Sequence, residues 1–362
     1  MTAFVVAARR SAVMPRGGGF ARLSVQALAA PVIDACLRDA GIGADRVDEL
    51  ILSNALGAGG NPARVVALAA GLKERVAGLS IDRQCAGGLD AIWLAQALIK
   101  AGQAEVVLAG GVESYSRRPL RSRTDPEGGP PVEYDRPPFT PWPDRDPDMA
   151  AAADALGRRL GISRARQDAW AVASHARALA ARERLTAEIV PIGGVDADGF
   201  TRALTAPVAA RAPVLTGTIT AANAAVAADG AAVCLVVSER IACGLPRACR
   251  IAGGATMGAA PEEPGLAPVA AIARAMAGAR TTDLAAIEIM EAYAVQAIAC
   301  VEAAGLDPAR VNMGGGALAR GHPVGASGAV LAVRLYHDLE KGLGLAAIAA
   351  AGGIGSALVL ER

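Results

Sequence analysis

Val106-Val-Leu-Ala-Gly-Gly-Val-Glu-Ser114 is echoed late in the chain by Ala347-Ile-Ala-Ala-Ala-Gly-Gly-Ile-Gly-Ser356, and this pair marks the sequence as a duplication. The echo extends upstream. Ala30-Pro31-Val32 opens a helical pattern that ends near Ala40-Gly41, followed by Val47-Asp-Glu-Leu-Ile-Leu52. Ala267-Pro268-Val269 opens a similar pattern ending near Ala277-Gly278, followed by Leu284-Ala-Ala-Ile-Glu-Ile289, 237 residues further on. Matching Gly110 with Gly352 gives a larger offset of 242. The second copy is therefore expected to carry an extra five residues, in an interval that contains Gly321-His-Pro-Val-Gly325. In this register Cys85 falls opposite Ser327.

Each copy alternates helical periodicity with short β-rich apolar runs, at 3–7, 49–53, 105–109 and 357–360. Alternation of this kind predicts an α/β fold of mostly parallel sheets with helices on their faces. Two copies imply two such sheets, sharing a central helical layer if they pack as a pseudodimer. Between the copies the composition changes. Residues 117–147 hold nine prolines and many charges, which predicts extended loop. Residues 149–160 and 163–184 then read as helices, with Ser163 as an N-cap and Val172 and Leu179 on one face. A second irregular stretch, 193–215, leads back into a strand at 231–237. Residues 119–215 are read as an insertion covering the core, where loops on a rigid scaffold commonly hold substrate. The expected division is 1–118 with 216–242, the insertion 119–215, and 243–362.

Bulk properties exclude several function classes. The 362 residues carry 36 basic and 35 acidic side chains, a net charge of +1, so no electrostatic footprint for nucleic acid or an anionic membrane exists. Hydrophobic residues make up 53% but aromatics only 3%, so the core must be built from Ala, Val, Leu and Ile. No apolar run is long enough to span a bilayer, and the first residues lack the pattern of a secretory signal. Six cysteines without CxxC spacing suggest reduced thiols in a cytosol. Three histidines, His175, His322 and His337, are too few for a multi-histidine metal site. His175 and His337 read as ordinary exposed residues. The glycine-rich stretches form neither GxGxxG nor GxxxxGK[ST], so a nucleotide site is not indicated.

Two residues stand out for chemistry. Cys85, in Ser80-Ile-Asp-Arg-Gln-Cys-Ala-Gly-Gly-Leu-Asp-Ala91, follows an apolar strand and precedes a helix over 89–101. A thiol at a helix N-terminus is expected to be drawn toward thiolate, the nucleophilic form. Set against this, a lone cysteine is often a small buried hydrophobe. His322 sits among turn-formers in Asn312-Met-Gly-Gly-Gly-Ala-Leu-Ala-Arg-Gly-His-Pro-Val-Gly-Ala-Ser-Gly328, rather than on an amphipathic face, which favours a site role. Pseudo-two-fold packing could bring the two together at the join.

These stretches resemble the thiolase superfamily from end to end and in order. Phe4-Val-Val-Ala-Ala-Arg-Arg-Ser11 looks like its opening, and Asn61-Pro-Ala-Arg64 like its loop ahead of the nucleophile. Cys85-Ala-Gly-Gly-Leu and Ala109-Gly-Gly-Val-Glu-Ser114 are similar to its Cys-x-Ser/Gly-Gly-Leu and AGGxExMS motifs. Thr218-Ile-Thr-Ala-Ala-Asn223 with Asp229-Gly-Ala-Ala232, and Gly321-His-Pro-Val-Gly-Ala-Ser-Gly328, complete the match. The resemblance implies a duplicated five-layer αβαβα fold with an inserted loop domain, a homodimer or homotetramer, and acyl-CoA chemistry. It implies no cofactor, coenzyme A thioesters being the substrates. Cys85 matches the acylated nucleophile, and His322 the residue that activates it and donates to the thioester oxyanion. The backbone N–H groups of Cys85 and Ala351 match an oxyanion hole.

Two positions depart from the family. Its Asn-Glu-Ala-Phe motif is here Met290-Glu291-Ala292-Tyr293, and a thioether cannot hold the water that the Asn would. Its second cysteine, the general acid/base, falls at Ala349 in Ala349-Ala-Ala-Gly-Gly353. Ala225 stands where the family has a CoA-contacting Ser, and Met149 is a candidate wall of the acyl pocket. The expected function is a thiolase-like acyl-CoA C-acyltransferase for Claisen condensation or thiolysis of a 3-oxoacyl-CoA. Decarboxylative condensation or simple acyl transfer is the alternative suited to the missing cysteine. A catalytically reduced subunit of a complex with a second thiolase-like or small partner chain is the third.

Overall fold

Strand β1 (Ala3–Ser11), helix α1 (Val25–Ala40) and strands β2 (Glu49–Ser53) and β3 (Leu79–Ile81) open the fold. Helix α2 (Gly87–Lys100) and strand β4 (Val106–Ser114) follow. Helices α3 (Met149–Leu160) and α4 (Arg164–Ala180) occupy the insertion, and β5 (Ala228–Ser238) returns from it. The second half comprises β6 (Cys249–Gly258), α5 (Ala267–Met276), β7 (Leu284–Ile289), α6 (Ala294–Ala303), α7 (Val324–Asp338), β8 (Leu343–Ala350) and β9 (Ile354–Glu361). This computed structural model describes residues 2–279 and 283–362.

Local signals set these elements. The Ser24 side chain accepts from the Ala27 N–H to cap α1, and left-handed Gly41 (φ 62°) ends it. Leu28, Val32, Ile33 and Cys36 form its buried stripe. Ser163 caps α4 as expected. In β8, Leu343, Leu345 and Ala347 pack outward while Ala346, Ile348 and Ala350 pack inward, the two-residue period of a strand buried on both faces.

The strands run in the order β7-β8-β9-β6-β1-β5-β4-β2-β3. Helices α2 and α7 pack against each other between the two half-sheets. Helix α1 covers the outer face of the first half, and α5 and α6 that of the second. These are the five layers. The expected pair of separate, mostly parallel sheets needs correction. The halves join where β1 pairs with β6 over Phe4–Arg250 and Val5–Cys249. Along this path parallel pairing occurs at β7–β8, β4–β2 and β2–β3, and off it the short strand Ile189–Val190 runs parallel to β1; every pairing along the path from β8 to β4 is antiparallel. A strand buried on both faces reads as a continuous apolar run whatever its direction, so the sequence pattern could not separate the cases.

The repeat register also needs correction. Gly87 and Val324 open α2 and α7, and Val106 and Leu343 open β4 and β8, each pair 237 residues apart. Cys85 and His322 have that same separation. The offset stays constant through this region, and Cys85 is equivalent to His322, not to Ser327. The two Ala-Gly-Gly stretches are not equivalents. Gly110 and Gly111 lie within β4, whereas Gly352 and Gly353 form the turn after β8 with φ of 77° and 73°.

The insertion packs through charge. Glu188 accepts from Arg10 of β1 at 2.6 Å and from Arg334 of α7 at 2.5 Å, and Asp198 accepts from Arg10 at 2.7 Å, all buried. Residues 121–123 and 132–134 make a small hairpin within its proline-rich part. The expectation that His175 and His337 are ordinary exposed residues fails. The buried face of α4 is Gln167, Asp168, Ala171, Ser174, His175 and Ala178, leaving Leu179 exposed. His175 is fully buried, its Nδ1 accepting from the Arg202 N–H at 3.3 Å. His337 is half-buried and donates from Nε2 to the Ala8 carbonyl. Alanine-rich helices expose too little contrast between faces for the sequence to rank them.

Glycine makes the central layer possible. A Cβ on Gly88 would lie 2.7 Å from the Ala329 N and 2.9 Å from the Gly325 carbonyl oxygen, and one on Gly111 would overlap that same oxygen. Gly111→Ala is therefore expected to destabilise the chain by about 3 kcal/mol, whereas Gly278→Ala, where nothing lies within 4 Å, should change stability by no more than about 0.5 kcal/mol. Urea unfolding midpoints of the two variants check this.

Candidate active site

Cys85 occupies a single 3-10 turn, Gln84–Ala86, between β3 and α2. Gln84 is left-handed at φ 47°, a conformation that costs a non-glycine residue about 1 kcal/mol or more. The Asp82 carboxylate holds it there by accepting from the Gln84 N–H at 2.9 Å. The kink turns Cys85 out of the core and onto a cavity of about 560 Å³. His322 reaches the same cavity from the other half. Gly321, at φ 113°, turns the chain under Ala228, and the His322 N–H donates to the Val226 carbonyl at 2.8 Å.

Cys85 Sγ lies 3.1 Å from His322 Nε2. Proton positions follow from the next contacts. Ser327 Oγ donates to the Pro323 carbonyl at 3.2 Å and meets His322 Nδ1 at 2.6 Å. With its hydrogen committed, that hydroxyl accepts from Nδ1–H, leaving the Nε2 lone pair for the Cys85 S–H. Both groups are neutral. Burial pushes the Cys85 thiol up to about 12, against a partial pull downward from its own backbone N–H. Burial holds His322 down to about 4. Desolvation thus works against the expected drift of Cys85 toward thiolate. In a neutral pair of this kind, sulfur can become nucleophilic by passing its proton to His322 as it attacks.

Two carboxylates that sequence reasoning left without a role fix this geometry. Glu113, 1% exposed, accepts from Asn54 Nδ2 (2.8 Å), the Ala55 N–H (3.1 Å) and the Gly325 N–H (3.0 Å), tying the Cys85 half to the His322 loop. Burial raises it to about 7. Glu291 accepts from Trp170 Nε1 (3.0 Å), Ser174 Oγ (2.7 Å), Asn312 Nδ2 (2.8 Å) and the Leu318 N–H (3.2 Å), binding the insertion to the segment ahead of His322. Both lie inside stretches the sequence had singled out, and their type was the available signal, since carboxylates amid apolar strand ends need partners.

The other candidate residues divide. Met149, Ala225, Ala349 and Ala351 line the Cys85–His322 cavity. Met290 is 1% exposed and packs within the central core, offering no polar atom. Among the described residues no cluster of His, Cys, Asp and Glu could hold a metal ion, and no helix is long and apolar enough to cross a membrane. Removing the Ser327 hydroxyl should free the Nδ1 tautomer and slow alkylation of Cys85 by iodoacetamide about tenfold at neutral pH. Intact-mass time courses of Ser327→Ala check it; an unchanged rate would remove Ser327 from the relay.

Comparison with known proteins fits this geometry. The family model "Thiolase, N-terminal domain" matches residues 3–240, and "Thiolase, C-terminal domain" matches residues 245–362. The chain is 39% identical to "Putative acetyl-CoA C-acetyltransferase YhfS" of Bacillus subtilis, covering 100% of this chain and 99% of the relative. It is 34% identical to "Putative acetyl-CoA C-acetyltransferase VraB" of Staphylococcus aureus, covering 99% of each. The crystal structure of the Bacillus anthracis acetyl-CoA acetyltransferase superposes with a TM-score of 0.92 at 34% identity, covering 99% of this chain and 98% of that one. Two half-folds meeting at a cysteine and a histidine, matched over the whole chain, place this protein in the thiolase family.

Proposed function

We propose that the protein is an acyl-CoA C-acyltransferase that carries its acyl group on Cys85, for condensation with, or thiolysis to, a CoA thioester. The observation that carries this reading is the 3.1 Å contact between Cys85 Sγ and an Nε2 left free to accept. Sulfur attacks the thioester carbonyl carbon as its proton passes to His322 Nε2. The backbone N–H groups of Cys85 and Ala351, at the wall of the same cavity, are the donors assigned to the oxyanion. Collapse of the tetrahedral intermediate breaks the bond to the CoA sulfur, which takes the proton back from His322. Arg118, Arg121 and Arg136 line the same cavity and would meet the phosphates of CoA.

A second reading rests on a specific observation: the residue at the cavity wall in place of the family's acid/base cysteine is Ala349. Losing a general base costs about 10²–10⁴-fold. A second substrate that makes its carbanion by losing carbon dioxide needs no such base, nor does plain acyl transfer to another thiol.

Intact mass after incubation with a panel of acyl-CoAs tests the first step. An acyl increment present in the native chain and absent in Cys85→Ala is expected; no increment with any ester would bring the partner-subunit reading forward. Turnover of the acyl enzyme with malonyl-CoA but not acetyl-CoA would select the decarboxylative route, and turnover with acetyl-CoA would exclude the need for it. The neutral pair also sets the pH behaviour. With His322 held to about 4 and Cys85 pushed to about 12, the rate of acylation should fall as pH drops through the His322 value. The ultraviolet absorbance of a thiolate should be missing at neutral pH, and its presence there would show a preformed ion pair instead.

A further inference from the structure

One stretch of cavity wall is polar without need. Gln296, on α6, lines the cavity and is only 3% exposed, yet neither its Nε2 nor its Oε1 has a hydrogen-bond partner. Its surroundings are apolar and close. A Cβ on Gly265 would lie 2.7 Å from Leu156 Cδ2 and 3.4 Å from Gln296 Cγ, so these three residues share one corner. Leu156 belongs to the apolar cluster of α3 and α6. An amide buried in such a corner forfeits its hydration with nothing in exchange. Leucine or methionine would fill the same space without that penalty.

Tyr293 is the extended N-cap residue of α6 and lines the same cavity. Burial keeps its phenol protonated. Cys85, Tyr293 and Gln296 thus line one and the same cavity. An acyl chain on Cys85 that extends through this cavity would meet Gln296 at an atom other than its thioester carbon.

Given acylation of Cys85 as proposed above, we infer that the acyl group carries an uncharged oxygen substituent, a hydroxyl or ketone, away from the thioester, and that Gln296 is the residue that recognises it. An amide can donate to a ketone and both donate to and accept from a hydroxyl. It offers no charge to match a carboxylate, and Tyr293 beside it is neutral. A site with a hydrogen-bonding group committed to substrate discriminates strongly against the analogue that lacks the partner.

The test compares butanoyl-CoA, 3-hydroxybutanoyl-CoA and 4-hydroxybutanoyl-CoA as acyl donors, following Cys85 acylation by intact mass in the native chain and in Gln296→Met. One of the hydroxylated esters should acylate the native enzyme about tenfold or more faster than butanoyl-CoA, and in Gln296→Met that ratio should fall to within about twofold. The melting temperature of free Gln296→Met should be equal or higher, because an unmet amide has been replaced by an apolar side chain of similar length. Equal rates for all three esters in the native chain would overturn the inference while leaving the acyl enzyme intact. So would a preference that survives in Gln296→Met. A lowered melting temperature with unaltered selectivity would show that Gln296 serves the fold alone. No adduct with any ester would defeat the acyl-enzyme reading itself, and this one with it.

Discussion

The structure depends on how closely two helices can approach. Helices α2 and α7 meet with the backbone of Gly88 against Gly325 and Ala329, and Gly111 of the neighbouring strand presses on that same turn. Any side chain at these points would push the halves apart. The reactive residues sit immediately ahead of each helix, so the helix spacing sets the spacing of Cys85 and His322. The chain's poverty in aromatics belongs to the same constraint. Alanine and glycine allow strand, helix and helix to stack at short range, and the central cluster is built largely of Ala, Val, Leu and Ile.

Burial then decides the electrostatics. A thiol and an imidazole in contact can share one proton in two ways, as a neutral pair or as an ion pair. Here desolvation penalises both charged forms. The neutral pair holds its proton ready to move without an ion standing in the apolar cavity beforehand. One buried group of charges is matched. Arg10 and Arg334 converge on Glu188, and this pairing is structural rather than reactive. Breaking such a pair by removing one partner typically costs about 3–5 kcal/mol, so the same residues that admit charge to the interior also fix the insertion over the site.

Much of this was legible in the sequence. The Cys85 and His322 stretches carry turn-forming residues on both sides, and their order with the other motifs identified the fold. The largely irregular backbone of residues 117–147 was legible through their prolines. What escaped has physical causes. The register of the repeat was misread because Ala-Gly-Gly serves two purposes: within β4 it lets helix α7 come close, and after β8 it makes a left-handed turn. Strand direction escaped because strands buried on both faces carry no directional pattern. The buried state of His175 escaped because its helix is dominated by alanine. The roles of Glu113 and Glu291 depend on N–H groups from distant segments, which no local reading can supply.

That Cys85 and His322 are the same position of the repeat, 237 residues apart, bears on how such a site could arise. If the two halves were separate identical chains related by a two-fold axis, each would present the same residue at the join, because an isologous interface is self-complementary. Two cysteines or two histidines would face each other, and neither pair contains both a nucleophile and its base. Only once the two copies differ in sequence can one position be the attacking group and its twin the proton acceptor. The asymmetry on which the proposed chemistry rests therefore needs two unlike halves, and holding both in one polypeptide ensures that each cysteine half always meets a histidine half.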